Sequence, residues 1–330
     1  MKVLILGGTS FFGKAIVRKF FEAQHSVTVF TRGKELPTDL PPHEHLKGDR
    51  GNLSDLLRVA RHAEWDLVID NIGYDGEAVS KAVEAFKGVK HFIFDSTVSV
   101  YRYIPDAFPM PLQENAVNFE RIPPQQDLED IHWKYARGKL EAERALKEAS
   151  FPWTILRPPV VYGPFDVTNR GYWYLARLLD GGPILLSNGG VQSFRLAYSE
   201  DIAQAFLKAA WKPQTYGKAY FLGQNEVITL RDFIEESARA LGVTPHFVSV
   251  PSEILGQMGG PHAPMVNMIP DISAAQKDLG FSPTPFSTFI RSTAIWFRDQ
   301  WKGNKADLLK GREEEIAFAE KWKRLVSQVS

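Results

Sequence analysis

Two groups of residues in this sequence could bind or transform a ligand. The first is a glycine-containing turn from Gly7 to Gly13, which follows an apolar strand and directly precedes a helical pattern. A helix N-terminus offers unpaired N–H groups and a partial positive charge, and glycines let a phosphate approach the backbone. The turn is therefore predicted to cradle a pyrophosphate. Taken alone, it is also compatible with a tight strand-to-helix turn that binds nothing.

The second group combines a hydroxyl cluster with a tyrosine–lysine pair. The run from Ser96 to Tyr101 carries four hydroxyl groups and follows the apolar strand 91–95. Open α/β sheets bind ligands at the carboxyl ends of their strands. One loop later, Tyr135 and Lys139 are four residues apart and share one face of a predicted helix. Exposed pairs at this spacing are common and usually inert, but its position after the hydroxyl cluster makes this pair a candidate for catalysis.

Alternating strand and helix patterns must position these residues. Such alternation predicts an α/β protein with a Rossmann-type, doubly wound parallel sheet. The pattern becomes less regular after Pro164, where an aromatic-rich segment begins. Residues 1–164, together with about 194–222, are predicted to form the dinucleotide-binding domain. Residues 165–193 and 223–330 are predicted to form a smaller α/β substrate domain with C-terminal helices.

The end of the second strand bears on which dinucleotide is bound. At the end of this strand, an NAD-specific fold usually has an Asp or Glu that bonds the ribose hydroxyl. This chain instead has Thr31, followed by Arg32 and Lys34. A guanidinium would pair with a 2′-phosphate, which an acidic side chain would repel. NADP is therefore favoured over NAD. The alternative is that Arg32 and Lys34 are solvated loop charges.

Composition narrows the class of protein. The 330 residues carry 39 basic and 39 acidic side chains, so no net charge favours a nucleic acid or an anionic membrane as a partner. The absence of cysteine excludes disulfides and thiolate catalysis. The eight histidines show no metal-ligand spacing, and no metal is expected. No apolar run approaches the roughly 18–20 residues that span a bilayer, and the chain begins as a strand without a leader. We therefore expect a cytoplasmic protein.

Seven short motifs in one order carry a family resemblance. They are Gly7–Gly13, Asp49-Arg50, Ser96–Tyr101, Tyr135-x-x-x-Lys139, Leu156–Pro164, Tyr198–Ala203 and Asp271–Pro283. With them, the chain resembles the extended short-chain dehydrogenase/reductase superfamily, in its NAD-dependent epimerase/dehydratase group. The Leu-Gly-Gly-Thr-x-Phe-x-Gly form of the turn is most similar to an atypical branch that includes bacterial reductases and chloroplast stem-loop-binding proteins.

The resemblance implies a role for each candidate residue. Tyr135 would be the general acid/base, and Lys139 would lower the pKa of this tyrosine and hold the nicotinamide ribose. Thr97 would hydrogen-bond the substrate oxygen, with Ser96 as the alternative. The residues expected to contact the cofactor are Gly7, Thr9, Ser10, Phe11, Phe12, Gly13, Arg32, Asp49, Arg50, Asn71, Ile72, Lys139, Pro158 and Val160. The residues expected to contact the substrate are Ser96, Tyr172, Trp173 and Arg195.

Departures from the family pattern affect the expected substrate. Val160 stands where nucleotide-sugar epimerases carry Asn, and no Lys or Arg occurs between Arg239 and Lys277 to bind a diphosphate. The favoured function is therefore an NAD(P)-dependent oxidoreductase that acts on a small carbonyl or alcohol substrate. One alternative is a sugar or nucleotide-sugar epimerase. The other is a non-enzymatic dinucleotide-sensing or RNA-associated protein. The family expectation for assembly is a homodimer through helices near 76–87 and 130–148.

Overall fold

The computed structural model describes residues 1–33, 37, 39–101, 110–116, 130–261 and 267–329. These residues form two compact units, each built from three segments of the chain. The first unit comprises Met1–Val161, Leu196–Gly223 and Pro270–Pro283. The second comprises Tyr162–Arg195, Gln224–Ile269 and Thr284–Ser330, described up to residue 329.

The strands and helices are numbered in chain order. The described strands are β1 Lys2–Leu6, β2 Ser26–Thr31, β3 Glu44–Lys47, β4 Leu67–Asp70, β5 Phe92–Asp95, β6 Trp153–Arg157, β7 Val160–Tyr162, β8 Pro183–Ser187, β9 Ser193–Phe194, β10 Leu196–Tyr198, β11 Lys218–Phe221, β12 Ile228–Thr229 and β13 His246–Val250. The described α-helices are α1 Phe11–Glu22, α2 Leu53–His62, α3 Gly76–Ala85, α4 Ile131–Lys147, α5 Arg170–Asp180, α6 Ser199–Ala209, α7 Leu230–Leu241, α8 Ser252–Leu255, α9 Ser273–Leu279, α10 Phe286–Gln300, α11 Lys305–Leu308 and α12 Arg312–Val329.

The first unit is organised around a seven-stranded sheet in the order β11-β6-β5-β4-β1-β2-β3, and every pairing is parallel. Successive side chains of a strand point to opposite faces, so Val3 and Ile5 join one core while Leu4 and Leu6 join the other. Both faces are buried because helices cover them, which explains the nearly continuous apolar strands. The predicted doubly wound α/β fold is confirmed.

Helix α4 packs against α3 on one face of this sheet. Asp130 caps its N-terminus by accepting hydrogen bonds from the backbone N–H groups of His132 and Trp133. Gly138 permits close contact, since a Cβ at this position would lie 2.3 Å from the carbonyl oxygen of Tyr74. The close approach brings the face that bears Lys139 against the carboxyl ends of the strands.

The second unit contains two small strand pairs, β8 with β13 in parallel and β9 with β12 in antiparallel orientation. Helix α12 packs on the first pair through Phe318 and Trp322, and the indole of Trp322 donates to the carbonyl oxygen of Ser249 at 2.9 Å. This contact accounts for part of the apolar stripe on the last helix. None of the described helices combines the length and apolar character needed to cross a bilayer.

Candidate cofactor and active site

The turn between β1 and α1 is shaped by glycine. Gly7 and Gly8 have φ angles of +99° and +90°, which favour glycine, and a Cβ at Gly7 would lie 2.9 Å from Cγ2 of Ile72. A Cβ at Gly13 would lie 2.8 Å from Nδ2 of Asn71 and 3.0 Å from Cα of Gly8. A side chain at Gly7 or Gly13 would therefore clash, and the two glycines let the turn pack closely against the loop after β4.

The start of α1 suits an anion. Ser10 is the N-cap residue, its side chain caps no backbone N–H, and the first turn holds no acidic residue. Phe11 has a φ of +44°, a left-handed conformation that is uncommon outside glycine and clusters at functional sites. The buried Oδ1 of Asn71 has no hydrogen-bond partner among the described residues. The N-terminus of α1, which has no side-chain cap, fits the pyrophosphate of a dinucleotide. The Asn71 oxygen is an acceptor and would suit a donor such as a ribose hydroxyl. Thr9, Phe12 and Ile72 are half-buried in the same region.

The ends of β2 and β3 would meet the adenosine part of a dinucleotide. Arg32 is exposed directly after β2. Asp49 is exposed too, and its carboxylate accepts from the backbone N–H of Gly51 at 2.8 Å. Arg50 is engaged differently, because its buried guanidinium is paired with the carboxylate of Asp70. Cofactor contact by the Arg50 guanidinium would require this ion pair to open. Lys34 lies outside the described residues.

Lys139 is almost completely withdrawn from solvent, at 1% exposure. Its Nζ donates a hydrogen bond of 2.6 Å to the backbone oxygen of Asp95, the last residue of β5. The ammonium also lies 5.0 Å from the ring centroid of Tyr74 and 4.9 Å from that of Phe94. Tyr135, one turn earlier on α4, is 40% exposed, and its ring centroid lies 6.5 Å from that of Tyr74. Tyr135 is thus partly exposed on α4, whereas Lys139 is buried.

Burial shifts the pKa values of the groups around Lys139. Burial lowers the pKa of Lys139, and the negative charges of Asp95 and Asp70 counteract this effect. Burial likewise raises the pKa of Asp95 to about 7, against the opposing influence of the Lys139 charge. The pKa of Tyr74 is raised by burial and by the same two carboxylates, so its phenol stays neutral.

The hydroxyl cluster lies beside α4. The 3₁₀ turn Val98–Tyr101 packs against that helix. Thr97 is buried, and its Oγ1 accepts a hydrogen bond of 3.1 Å from the backbone N–H of Ser99. Ser96 is buried as well, and its hydroxyl donates to the carboxylate of Glu143 at 2.5 Å. The Ser96 hydroxyl already has an acceptor, whereas none is found for the Thr97 hydroxyl proton among the residues that the structure describes.

Sequence reasoning missed a buried network behind the cluster. Glu143 accepts from Nε and Nη2 of Arg157 at 2.8 and 2.5 Å, and Nη1 of Arg157 donates to Oη of Tyr101 at 2.8 Å. The available signal was the position of Glu143, four residues after Lys139 on the same helix face. Asp95 was also missed, and the available signal was a carboxylate at the end of an otherwise apolar strand.

Two expected cofactor residues follow β6. Pro158 is buried, and its carbonyl oxygen accepts from the backbone N–H of Val98 at 3.0 Å. Val160 is half-buried at the start of β7. This backbone contact holds the segment after β6 beside the hydroxyl cluster.

The other expected substrate residues belong to the second unit. Tyr172 is fully buried; its hydroxyl donates to the carbonyl oxygen of Gly163 at 2.8 Å and accepts from the backbone N–H of Asp166 at 3.2 Å. Substrate contact by Tyr172 would therefore require the side chain to move. Trp173 is half-buried under the guanidinium of Arg177, which lies 3.2 Å from its ring centroid. Arg195 is half-buried and donates to the carbonyl oxygen of Asn225 at 3.4 Å.

The family model for the NAD dependent epimerase/dehydratase family matches residues 3–223, which include the glycine turn, the hydroxyl cluster and the tyrosine–lysine pair. This chain belongs to that family. The predicted resemblance and the expectation of an enzyme of the short-chain dehydrogenase type are thereby confirmed at the level of the family. The family is NAD-dependent, and a preference for NADP is not decided by the match.

Three known proteins are similar to this chain in sequence or in structure. The chloroplast stem-loop binding protein of 41 kDa b from Arabidopsis thaliana is 31% identical over 73% of this chain and 63% of its own length. The 2-alkyl-3-oxoalkanoate reductase of Stenotrophomonas maltophilia is 26% identical over 73% of this chain and 76% of its own length. UDP-glucose 4-epimerase from Thermotoga maritima superposes with a TM-score of 0.73 over 92% of this chain and 100% of its own, at 19% identity. This last similarity shows the fold alone.

Proposed function

We propose that this chain is an NAD(P)-dependent oxidoreductase that transfers hydride between the nicotinamide and a small carbonyl or alcohol substrate. The observation that carries the proposal is the hydrogen bond from Nζ of Lys139 to the backbone oxygen of Asp95. It fixes the face of α4 that bears Tyr135 and Lys139 at the carboxyl edge of a parallel sheet, where ligands of such sheets bind. The similarity to the 2-alkyl-3-oxoalkanoate reductase of Stenotrophomonas maltophilia supports this reaction class.

The proposed roles follow from the contacts of each side chain. A dinucleotide held at the glycine turn would supply or accept the hydride. Oη of Tyr135, on the exposed side of α4, gives a proton to the carbonyl oxygen or takes it from the hydroxyl. Free tyrosine has a pKa near 10, so the Lys139 ammonium on the same helix face favours the phenolate. Thr97 donates its hydroxyl proton to the substrate oxygen, because its Oγ1 already accepts from Ser99.

The substrate class follows from what the chain lacks. A buried diphosphate needs cationic partners. No Lys or Arg occurs between Arg239 and Lys277. We therefore favour a substrate without a diphosphate. NADP is favoured as the cofactor because Arg32 is exposed at the end of β2 and available to a 2′-phosphate.

Replacing Tyr135 tests the proposed chemistry. Tyr135→Phe should lower kcat with small ketones, aldehydes and alcohols by about 10²–10⁴-fold, while titration calorimetry finds dinucleotide affinity nearly unchanged. Lys134→Gln, the adjacent exposed position on α4, is the matched control and should keep full turnover. Undiminished turnover by Tyr135→Phe would remove the assignment.

Two other functions give different outcomes. An epimerase should purify with a tightly bound dinucleotide and need none added, whereas a reductase consumes NAD(P)H stoichiometrically. An RNA-associated function is suggested by similarity to the chloroplast stem-loop binding protein. Tight RNA retention in a filter-binding assay, falling steeply with salt, would favour it.

A further inference from the structure

Asp95, the last residue of β5, carries a buried carboxylate with an unsatisfied oxygen. The residue is 6% exposed, and its Oδ1 has no hydrogen-bond partner among the described residues. Burial of a carboxylate is costly unless it is hydrogen-bonded or paired with a cation. The nearby ammonium of Lys139 is already bonded to the backbone oxygen of the same residue. Asp95 therefore requires a compensating charge. The Lys139 ammonium, held at the backbone oxygen of the same residue, is the cation that acts on its carboxylate, although no direct hydrogen bond joins the two charged groups among the described residues.

The Lys139 ammonium has the complementary requirement. It is buried against the rings of Tyr74 and Phe94, whose faces attract a cation without cancelling its charge. Burial of an ammonium without a counter-ion favours the neutral amine. A neutral lysine could not stabilise a phenolate, so the proposed role of Lys139 depends on a nearby negative charge.

Three buried carboxylates act on the charge of Lys139. They belong to Asp95, Asp70 and Glu143. The carboxylate of Asp70 is bonded to Arg50, and that of Glu143 is bonded to Arg157 through both oxygens. Of the three, Asp95 is the one without an arginine partner among the described residues.

We propose that the Asp95 carboxylate is the buried counter-ion of Lys139, a positioning residue that keeps this ammonium charged at the carboxyl end of β5. The catalytic consequence rests on the proposed function, because it requires Tyr135 to act beside a charged lysine. The ion pairing itself does not depend on that function.

The pairing makes the site sensitive to pH near neutrality. The pKa of Asp95 is raised by burial to about 7, lowered by the charge of Lys139 and raised by that of Asp70. Below that pH, Asp95 becomes protonated and no longer stabilises the ammonium. Above it, Asp95 is charged and the ammonium is retained. The two groups therefore titrate as a coupled pair, with Arg50, Glu143 and Arg157 as the other charges around them.

Carbon-13 NMR of aspartate-labelled protein tests the pairing without reference to activity. The carboxyl resonance that disappears in Asp95→Asn is assigned to Asp95, and in the unmodified chain it should titrate near 7. In Lys139→Met the midpoint should rise by about one pH unit or more, since the stabilising cation is gone. A midpoint that Lys139→Met leaves unchanged would overturn the proposal. In Asp95→Asn the pKa of the Lys139 ammonium, followed by nitrogen-15 NMR, should fall, because its counter-ion is gone. An unchanged value would overturn the proposal even if Lys139→Met fails to fold.

Kinetics test the catalytic consequence. The pH profile of kcat should contain an ionisation near 7 that Asp95→Asn lacks, and the alkaline loss of activity should move to lower pH. Glu141→Gln, which removes an exposed carboxylate from the same helix, should leave both the profile and the Asp95 midpoint unchanged. Superimposable profiles for Asp95→Asn and the unmodified chain would refute the consequence. Continued turnover by Tyr135→Phe would instead refute the proposed function and leave the NMR result to decide the pairing.

Discussion

Glu143 holds the guanidinium of Arg157 by two hydrogen bonds, from Nε at 2.8 Å and Nη2 at 2.5 Å, and neither residue is more than 1% exposed. The pair joins α4 to the end of β6, directly behind the hydroxyl cluster. Because both charges are buried, each depends on the other for compensation. The helix face that carries Tyr135 is therefore anchored by charge as well as by apolar packing.

Removal of one partner of this pair should be strongly destabilising. We expect Glu143→Gln to lower the free energy of unfolding by about 3–5 kcal/mol, because it leaves Arg157 charged and uncompensated. Glu141→Gln breaks an exposed pair with Arg137 on the same helix and should cost less than about 0.5 kcal/mol. Urea unfolding of both variants measures the difference, and equal losses would contradict the interpretation of a buried charge pair.

Gly138 should tolerate no side chain. In Gly138→Ala the new Cβ would lie 2.3 Å from the carbonyl oxygen of Tyr74, so α4 must move away from the loop after β4. We expect a loss of about 1–3 kcal/mol in stability, together with a displaced Lys139 and reduced turnover. Gly88→Ala meets nothing within 4 Å and is the matched control. Thermal unfolding that responds equally to both substitutions would refute the steric argument.

His91 should make folding less stable in acid. Its Nδ1 accepts from the backbone N–H of Trp211 at 3.2 Å, its Nε2 is 2.9 Å from Oγ1 of Thr154, and burial lowers its pKa to about 4. Below a pH of about 6.5, His91 is protonated in the unfolded chain but stays neutral in the folded chain. The stability that neutral His91 contributes is therefore present above this pH and is lost as the pH falls toward 4. The full loss corresponds to about 3 kcal/mol.

Denaturant unfolding at several pH values checks this slope. His91→Gln should be less stable at pH 7, with a shallower decline in its free energy of unfolding between pH 6.5 and 4. His132→Gln, an exposed histidine on α4, should keep the slope of the unmodified chain. If the free energy of unfolding of His91→Gln declines with falling pH as steeply as that of the unmodified chain, other groups cause the acid sensitivity.

Arg32 should discriminate between the two dinucleotides. Arg32→Gln removes a guanidinium that can pair with a 2′-phosphate, so KM for NADPH should rise by about 10-fold or more while KM for NADH stays within about 2-fold. Arg61→Gln, exposed at the end of α2, should change neither. Equal changes for both cofactors would identify Arg32 as a solvated loop charge, and the preference for NADP would be withdrawn.

Local patterns predicted the features that depend on neighbouring residues. The glycine turn and the spacing of Tyr135 and Lys139 are visible in short stretches, and strand–helix alternation was enough for the sheet. Contacts between residues that are distant in the sequence could not be predicted from such patterns. Arg50 was expected at the cofactor, yet its guanidinium is paired with Asp70, 20 positions away. Lys139 bonds to Asp95 across 44 positions, and no periodicity encodes that contact.

The alternation of segments between the two units restricts how the chain can be divided. A fragment that ended at residue 161 would lose β11, the edge strand that pairs with β6, and a fragment that began there would retain pieces of both cores. No single cleavage therefore releases one whole unit. Separate expression of either part would require rejoining three stretches of sequence, so dissection of this chain must rely on point substitutions.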